Sequence, residues 1–199
     1  MPAPSPREQM ILAAMSLFQR EGYAAASWRR IVQESGAPWG SAHHYFPKGK
    51  EQLGLAALEA ASQTVAASMA RCFPEGGAAA DGVRRLFEGG AKVLAKSRFT
   101  AGCPICTVAL ETAPQSRKLT DTCNAAFQLW RQTIADGLVR CGMSATNAAK
   151  LAVLVLAAFE GALVQARAAQ SQEPLLDCAK MLEQFCREPK LGTSIGVQI

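Results

Sequence analysis

Two thiols stand three residues apart in Gly102-Cys103-Pro104-Ile105-Cys106, and two imidazoles stand side by side at His43 and His44. Thiols one helical turn apart can bind a metal or close a disulfide. No second cysteine pair and no histidine pair completes a tetrahedral set, so three readings stay open for Cys103 and Cys106: packing beside a ligand cavity, thiol-based sensing, or metal binding. His43 and His44 are the only histidines. Adjacent helical residues diverge by about 100° around the axis, which makes them a poor metal pair. HExxH, GxSxG and a phosphate-binding glycine loop are all missing, so neither catalysis nor a metal or cofactor is expected.

The polar residues between Ser27 and Lys50 suggest a different chemistry. Ser27 can head a helix and offer its hydroxyl and free backbone amides to a phosphate, and Lys50, at the start of a later helix, can reach the backbone across a groove. Between them, Trp39, Gly40, Ser41 and His43 occupy the exposed part of a short helix, where side chains touch base edges or the sugar wall. Trp39 has two readings, a partly buried aromatic supporting the turn or a contact to a thymine methyl or sugar. His44 and Tyr45 can donate to phosphates, while Phe46 packs beneath as core.

The elements that position these groups read as helices throughout. Ser5-Pro6-Arg7-Glu8 combines an N-cap serine, a proline at the first helical position and a glutamate three residues after the cap, so a helix is expected from Pro6 to about Glu21, stopped by Gly22. Ser27 caps a second helix that Gly36 ends, with Ile31 and Val32 inward. Pro38 fits the first turn of a third, which runs to about His44; a fourth starts at Lys48-Gly49-Lys50-Glu51 and reaches Arg71. Further helices follow at Asp81 to Lys96, Pro104 to about Ala113, Ser116 to Cys141, Ser144 to Gln170 and Pro174 to Arg187. The segment from Ser144 to Gln170 is apolar on nearly every side, so two of its faces must be covered, one by its own domain and the other, as expected here, by a second copy of the chain.

Composition agrees. The 199 residues are 49% hydrophobic but only 7% aromatic and rich in alanine, which favours close-packed helices. A net charge of +5 permits nucleic-acid binding without demanding it. Over residues 1–55, Arg7, Arg20, Arg29, Arg30, Lys48 and Lys50 face Glu8, Glu21, Glu34 and Glu51, leaving only +2. Seven cysteines, an odd number, and no signal peptide at the start point to reduced thiols in the cytoplasm. The longest apolar run, Leu151 to Phe159, is far short of the ~20 residues that cross a membrane, so no membrane partner is expected.

The segment Ser27 to Leu53 resembles the tetracycline-repressor-like (TetR) family of bacterial transcriptional regulators. The match rests on Ser27, Gly36, Gly40-Ser41, Tyr45-Phe46, Lys50-Glu51 and Leu53 in that order. Pro38, the extra Gly49, Gly102-Cys103-Pro104-Ile105 and Ala109-Leu110-Glu111 look like the LmrA/YxaF-type branch. Trp39 stands where a basic residue is common in the family and His43 where tyrosine is common.

The resemblance implies an all-α fold: an N-terminal three-helix helix-turn-helix DNA-binding domain, here residues 1–50, followed by a helical ligand-binding and dimerisation domain, residues 51–187; residues 188–199, with Pro189, Gly192 and Gly196 and no helical pattern, are expected to be a loose tail. It implies a homodimer built by the 144–170 and 174–187 helices, a double-stranded DNA operator, and a small effector. The residues expected to meet DNA are Ser27, Trp28, Arg29, Pro38, Trp39, Gly40, Ser41, His43, His44, Tyr45 and Lys50. Those expected to line the effector cavity are Phe99, Cys103, Cys106, Leu110, Phe127, Gln128, Trp130, Phe159 and Glu160. A pure helical interaction module is the remaining alternative. It leaves Ser27, Gly40-Ser41 and Lys50 at groove-spanning positions without a reason.

Overall fold

The computed structural model describes residues 3–113 and 115–187, so the expected tail at 188–199 lies outside the described residues. Nine helices and no strand occur among them: α1 (Pro6–Ala25), α2 (Trp28–Ser35), α3 (Trp39–Tyr45), α4 (Lys50–Arg71), α5 (Ala79–Lys96), α6 (Pro104–Thr112), α7 (Arg117–Arg140), α8 (Ala145–Ala169) and α9 (Glu173–Arg187). The all-α expectation holds.

Local chemistry sets most boundaries. At α1 the Ser5 hydroxyl accepts the Glu8 amide while the Glu8 carboxylate accepts the Ser5 amide, a closed capping box. Gly22 does break α1, at φ 87° and ψ 175°, but a further turn resumes and carries the helix to Ala25. The resumed turn exists because the Glu111 carboxylate, from α6, accepts the Ala24 N–H at 2.7 Å. Gly36 closes α2 in the left-handed region, at φ 66°. Pro38 precedes α3 as its cap residue instead of entering the first turn, because its extended ψ of 134° is not helical.

The core is continuous from end to end. α1 packs against α2, α3, α4 and α6, and α4 packs against α7, which in turn packs against α8. Met10, Ala14, Leu17 and Phe18 from α1 are buried together with Ile31, Ala42, Phe46, Leu53 and Leu58. Each large apolar side chain so buried contributes about 2 kcal/mol. Trp130 on α7 is wholly buried, and its indole N–H donates to the Ser62 carbonyl of α4 at 2.9 Å. Phe73 is wedged between α5 and α7: a Cβ on Gly82 or on Gly137 would fall within 3 Å of its ring, so only glycine admits the ring at these two points.

One face of α8 buries Leu151, Ala152, Val155 and Leu156. On its other side Val153, Leu154 and Val164 are exposed, as are Met181 and Phe185 on α9. By length and composition α8 could cross a membrane, yet its buried face is packed against α7 and α9. The doubly apolar character read from the sequence is thus one covered face and one bare one.

Candidate functional site

The N-terminal head presents a short helix on a buried underside. In α3 the methyl of Ala42 and, just beyond, the ring of Phe46 are buried, as expected of Phe46. Trp39, Gly40, His43 and His44 face solvent, and Ser41 and Tyr45 are half-buried. Trp39 is 53% exposed, so about half of its side chain is open to contact from outside and half is covered, and both readings of it stand. A Cβ on Gly40 would meet nothing within 4 Å, so the backbone there is open to close approach.

α2 holds α3 in place. Ser27 caps α2 by accepting the Arg30 amide at 3.2 Å, which leaves its O–H and the amides of Trp28 and Arg29 free of helical partners. Trp28 is half-buried, its ring 5.6 Å from that of His43, and its buried indole N–H has no protein partner. Arg29 is exposed. Arg30 is not available: its guanidinium pairs with Glu21 on two nitrogens and with Glu34 at 3.1 Å, while Arg20 pairs with Glu34 at 2.8 Å. Two of the cations counted in the sequence are therefore tied up within the head.

Lys50 corrects an expectation. Its Nζ donates to the Tyr23 carbonyl at 2.6 Å and the Ala24 carbonyl at 3.4 Å, and it sits 4.2 Å over the Tyr23 ring. Burial lowers its pKa, opposed by the nearby Glu111 charge. The end of a helix leaves carbonyls unpaired, and a cation is favoured there, so Lys50 fastens α1 to α4 instead of projecting into a groove. Lys48, two residues earlier, is an exposed cation at this end, although its place before the helix does not mark it in the sequence as a contact residue.

The second candidate site is a cavity of about 250 Å³ between α4, α5, α7 and α8, roofed by the loop before α6. It brings together four of the expected residues, Cys103, Trp130, Phe159 and Glu160. Gly89 and Gly90, in mid-α5, make the space. A Cβ on Gly90 would lie 2.6 Å from the Phe159 ring, whereas one on Gly89, an exposed residue at the rim of the cavity, would meet nothing within 4 Å. Two adjacent glycines inside a helix cost about 1 kcal/mol each, so the pair is itself a mark in the sequence of a helix face kept open.

Glu160 is the cavity's charged group. Burial pushes its carboxyl up to about 7, moderated by a hydrogen bond from Cys103, and its Oε2 is buried without a partner. Cys103 caps α6, its sulfur accepting the Cys106 amide at 3.4 Å. Burial, reinforced by Glu160, pushes the Cys103 thiol well above its ordinary range and raises Cys106 as well. Thiols held in that state are poor nucleophiles at neutral pH, which favours packing over sensing. No group of three or more His, Cys, Asp or Glu side chains arranged to hold a metal ion is present among the described residues.

The remaining cavity expectations scatter. Phe99 lines an open groove with Arg20 and Arg167, and Phe127 lines a shallow one with Arg131 behind Glu160. Cys106 lines neither groove nor the cavity. Leu110 is a correction: it is 78% exposed, because α6 buries Ile105 and Val108 and a residue two positions on points the opposite way. Gln128 is exposed for the same reason, two positions from the buried Trp130 on α7.

Cavity and head are joined through the last turns of α1. Gly102 N–H donates to the Gln19 carbonyl at 2.9 Å and Arg167 Nη2 to the Arg20 carbonyl at 2.7 Å. With the Glu111 and Lys50 bonds, consecutive parts of this segment are held by α6 and its preceding loop, by α8 and by α4. None of these partners was legible as such in the sequence.

Comparison with known proteins follows the same division. Residues 11–57 match the family described as bacterial regulatory proteins, tetR family, and residues 79–181 match transcriptional regulator LmrA/YxaF-like, C-terminal domain. The HTH-type transcriptional regulator LmrA of Bacillus subtilis (strain 168) is 30% identical over 170 residues, covering 85% of this chain and 90% of that protein. An uncharacterized HTH-type transcriptional regulator of Mycobacterium tuberculosis is 33% identical over 175 residues, 85% of this chain and 88% of that one. The crystal structure of a TetR transcriptional regulator from Legionella pneumophila shares the fold, with a TM-score of 0.81 at 21% identity over 93% of this chain and 99% of that one.

Proposed function

This chain belongs to the tetR family of bacterial regulatory proteins and is a DNA-binding transcriptional regulator of the LmrA/YxaF type, not an enzyme, and from that premise we propose that it is a one-component repressor. As a cytoplasmic homodimer it binds a palindromic operator and leaves it when a small, largely hydrophobic effector enters the cavity. The observation that carries this reading is the exposed α3 surface, Trp39 and Gly40 outward over buried Ala42 and Phe46, joined through α1 to the wall of the cavity.

Two copies place two α3 helices about one turn of DNA apart. Pro38, Trp39, Gly40, Ser41 and His43 enter the major groove. Ser27 with the first amides of α2, and Trp28 and Arg29 beside them, meet one phosphate wall; His44, Tyr45 and Lys48 meet the other. The bare apolar faces of α8 and α9, with Val153, Leu154, Val164, Met181 and Phe185, support dimerisation. The division of labour falls near residue 50 although α4 runs unbroken from Lys50 to Arg71, so the boundary is functional and not a linker.

A gel shift with DNA upstream of the chain's own gene, repeated across salt concentrations, tests the reading. The expected result is a palindrome bound as a dimer, with affinity falling steeply with salt as phosphate contacts release counterions. Absence of binding at low salt to any upstream palindrome overturns it.

A further inference from the structure

The cavity carries a charge pattern that narrows what can enter it. Its lining contributes one ionisable carboxylate, Glu160, and no lysine, arginine or histidine; Gln19, Ser68, Cys72 and Cys103 are its other polar side chains. Glu160 Oε2 is buried and unpartnered. A carboxylate in such a place is costly unless something completes it, and an amide or an aliphatic side chain would fill the position at less cost. Phe159 and Trp130 line the same space, and aromatic rings attract cations when water is excluded.

Resting on the effector-controlled reading above, we propose that the cavity takes an organic monocation, an apolar or aromatic body bearing one ammonium nitrogen, with Glu160 as its counter-ion. The nitrogen lies against the Glu160 carboxylate where it lines the cavity, and the body lies along Gly89, toward Met69 and Val65. Anions are excluded by the same carboxylate. At roughly 30 Å³ per displaced water, about 250 Å³ suits a small aryl or alkyl ammonium ion.

The groups facing Glu160 set how binding depends on pH. From the cap and first turn of α6 these are Cys103, hydrogen-bonded to it, and Cys106, both with raised pKa values; α1 and α4 supply the neutral Gln19 and Ser68, with Cys72 past the end of α4. From α7, Arg131 lines the outer groove behind Glu160 and leaves Oε2 unpartnered. Because the empty cavity holds the carboxyl near 7 and a cation requires it ionised, affinity rises as pH rises through that value.

Isothermal titration of the full chain with benzyltrimethylammonium and with its neutral isostere neopentylbenzene tests the proposal. The cation is expected to bind at least about tenfold tighter than the isostere, a margin that Glu160→Gln abolishes, and to lose about tenfold in affinity from pH 8 to pH 6. Gly89→Leu fills the space and is expected to remove both ligands, which locates them. Equal affinities, a margin that survives Glu160→Gln, cation binding that survives Gly89→Leu, or no cation binding overturns the proposal. These outcomes are independent of the ligand-free gel shift, whose failure would instead overturn the repressor reading.

Discussion

The head and the cavity treat polar groups in opposite ways. In α2 and α3 the free amides, Ser41, His43 and His44 lie at or near the surface, where water satisfies them until something else does. In the cavity one carboxylate oxygen is cut off from water with nothing in its place. A solvated group waits for a partner at no cost to the fold, whereas a buried one lowers stability until its partner arrives. A partner of the first kind of site would be held through many weak, salt-sensitive contacts, and a partner of the second through one decisive contact.

The segment shared by both regions gives the largest test of that contrast. Gly22 has a backbone conformation open only to glycine, and a Cβ there would collide with the Glu111 carboxylate. Gly22→Val is expected to destabilise the protein by about 3 kcal/mol and to weaken operator binding and effector response together. Thermal melts and gel shifts on one preparation check this; an unchanged melting temperature would sever the two regions.

A smaller effect separates them. Glu160 has a folded pKa of about 7, above its unfolded value, so its contribution to stability is intact below the unfolded pKa and is lost as pH rises toward 7. Glu160→Gln removes that loss. Urea unfolding should find the variant gaining about 2 kcal/mol on the parent between pH 5 and pH 8, with ligand-free operator affinity unchanged.

Trp39→Ala should do the reverse, lowering operator affinity about tenfold with the melting temperature unmoved, since half of the side chain already lies in water. A loss of stability instead would give Trp39 the supporting role. Smallest of all is Cys103→Ser. Serine is the better N-cap, so the change should shift stability by about 0.5 kcal/mol or less. Peroxide should release neither form from DNA, because the buried thiol is held protonated. Release of the parent alone would make the cavity a redox site.

What the sequence made legible was local. The Ser5 and Ser27 caps, the left-handed Gly36 and the apolar underside of α3 depend on residues within a few positions of one another, and each is where pattern placed it. Glu160 was also within reach, because a charge at the end of a long apolar run must find some compensation. Lys50 was misjudged because its position at a helix start says nothing about which carbonyls come near it, and those belong to Tyr23 and Ala24. Leu110 failed similarly. Two sides of a short apolar helix look alike until a neighbour covers one of them. Glu111 and Arg167 were invisible as partners of α1, since their bonds span 87 and 147 residues of chain.

Those long-range bonds bear on how the protein can be re-engineered. A head cut at residue 50 and grafted onto another regulator would carry α1 away from Glu111, Arg167 and Gly102, which hold its last turns. The graft would keep its reading surface and lose its reins. A working chimaera must therefore transplant the loop before α6, Glu111 and Arg167 along with the head, so the portable unit is a set of contacts and not a stretch of chain.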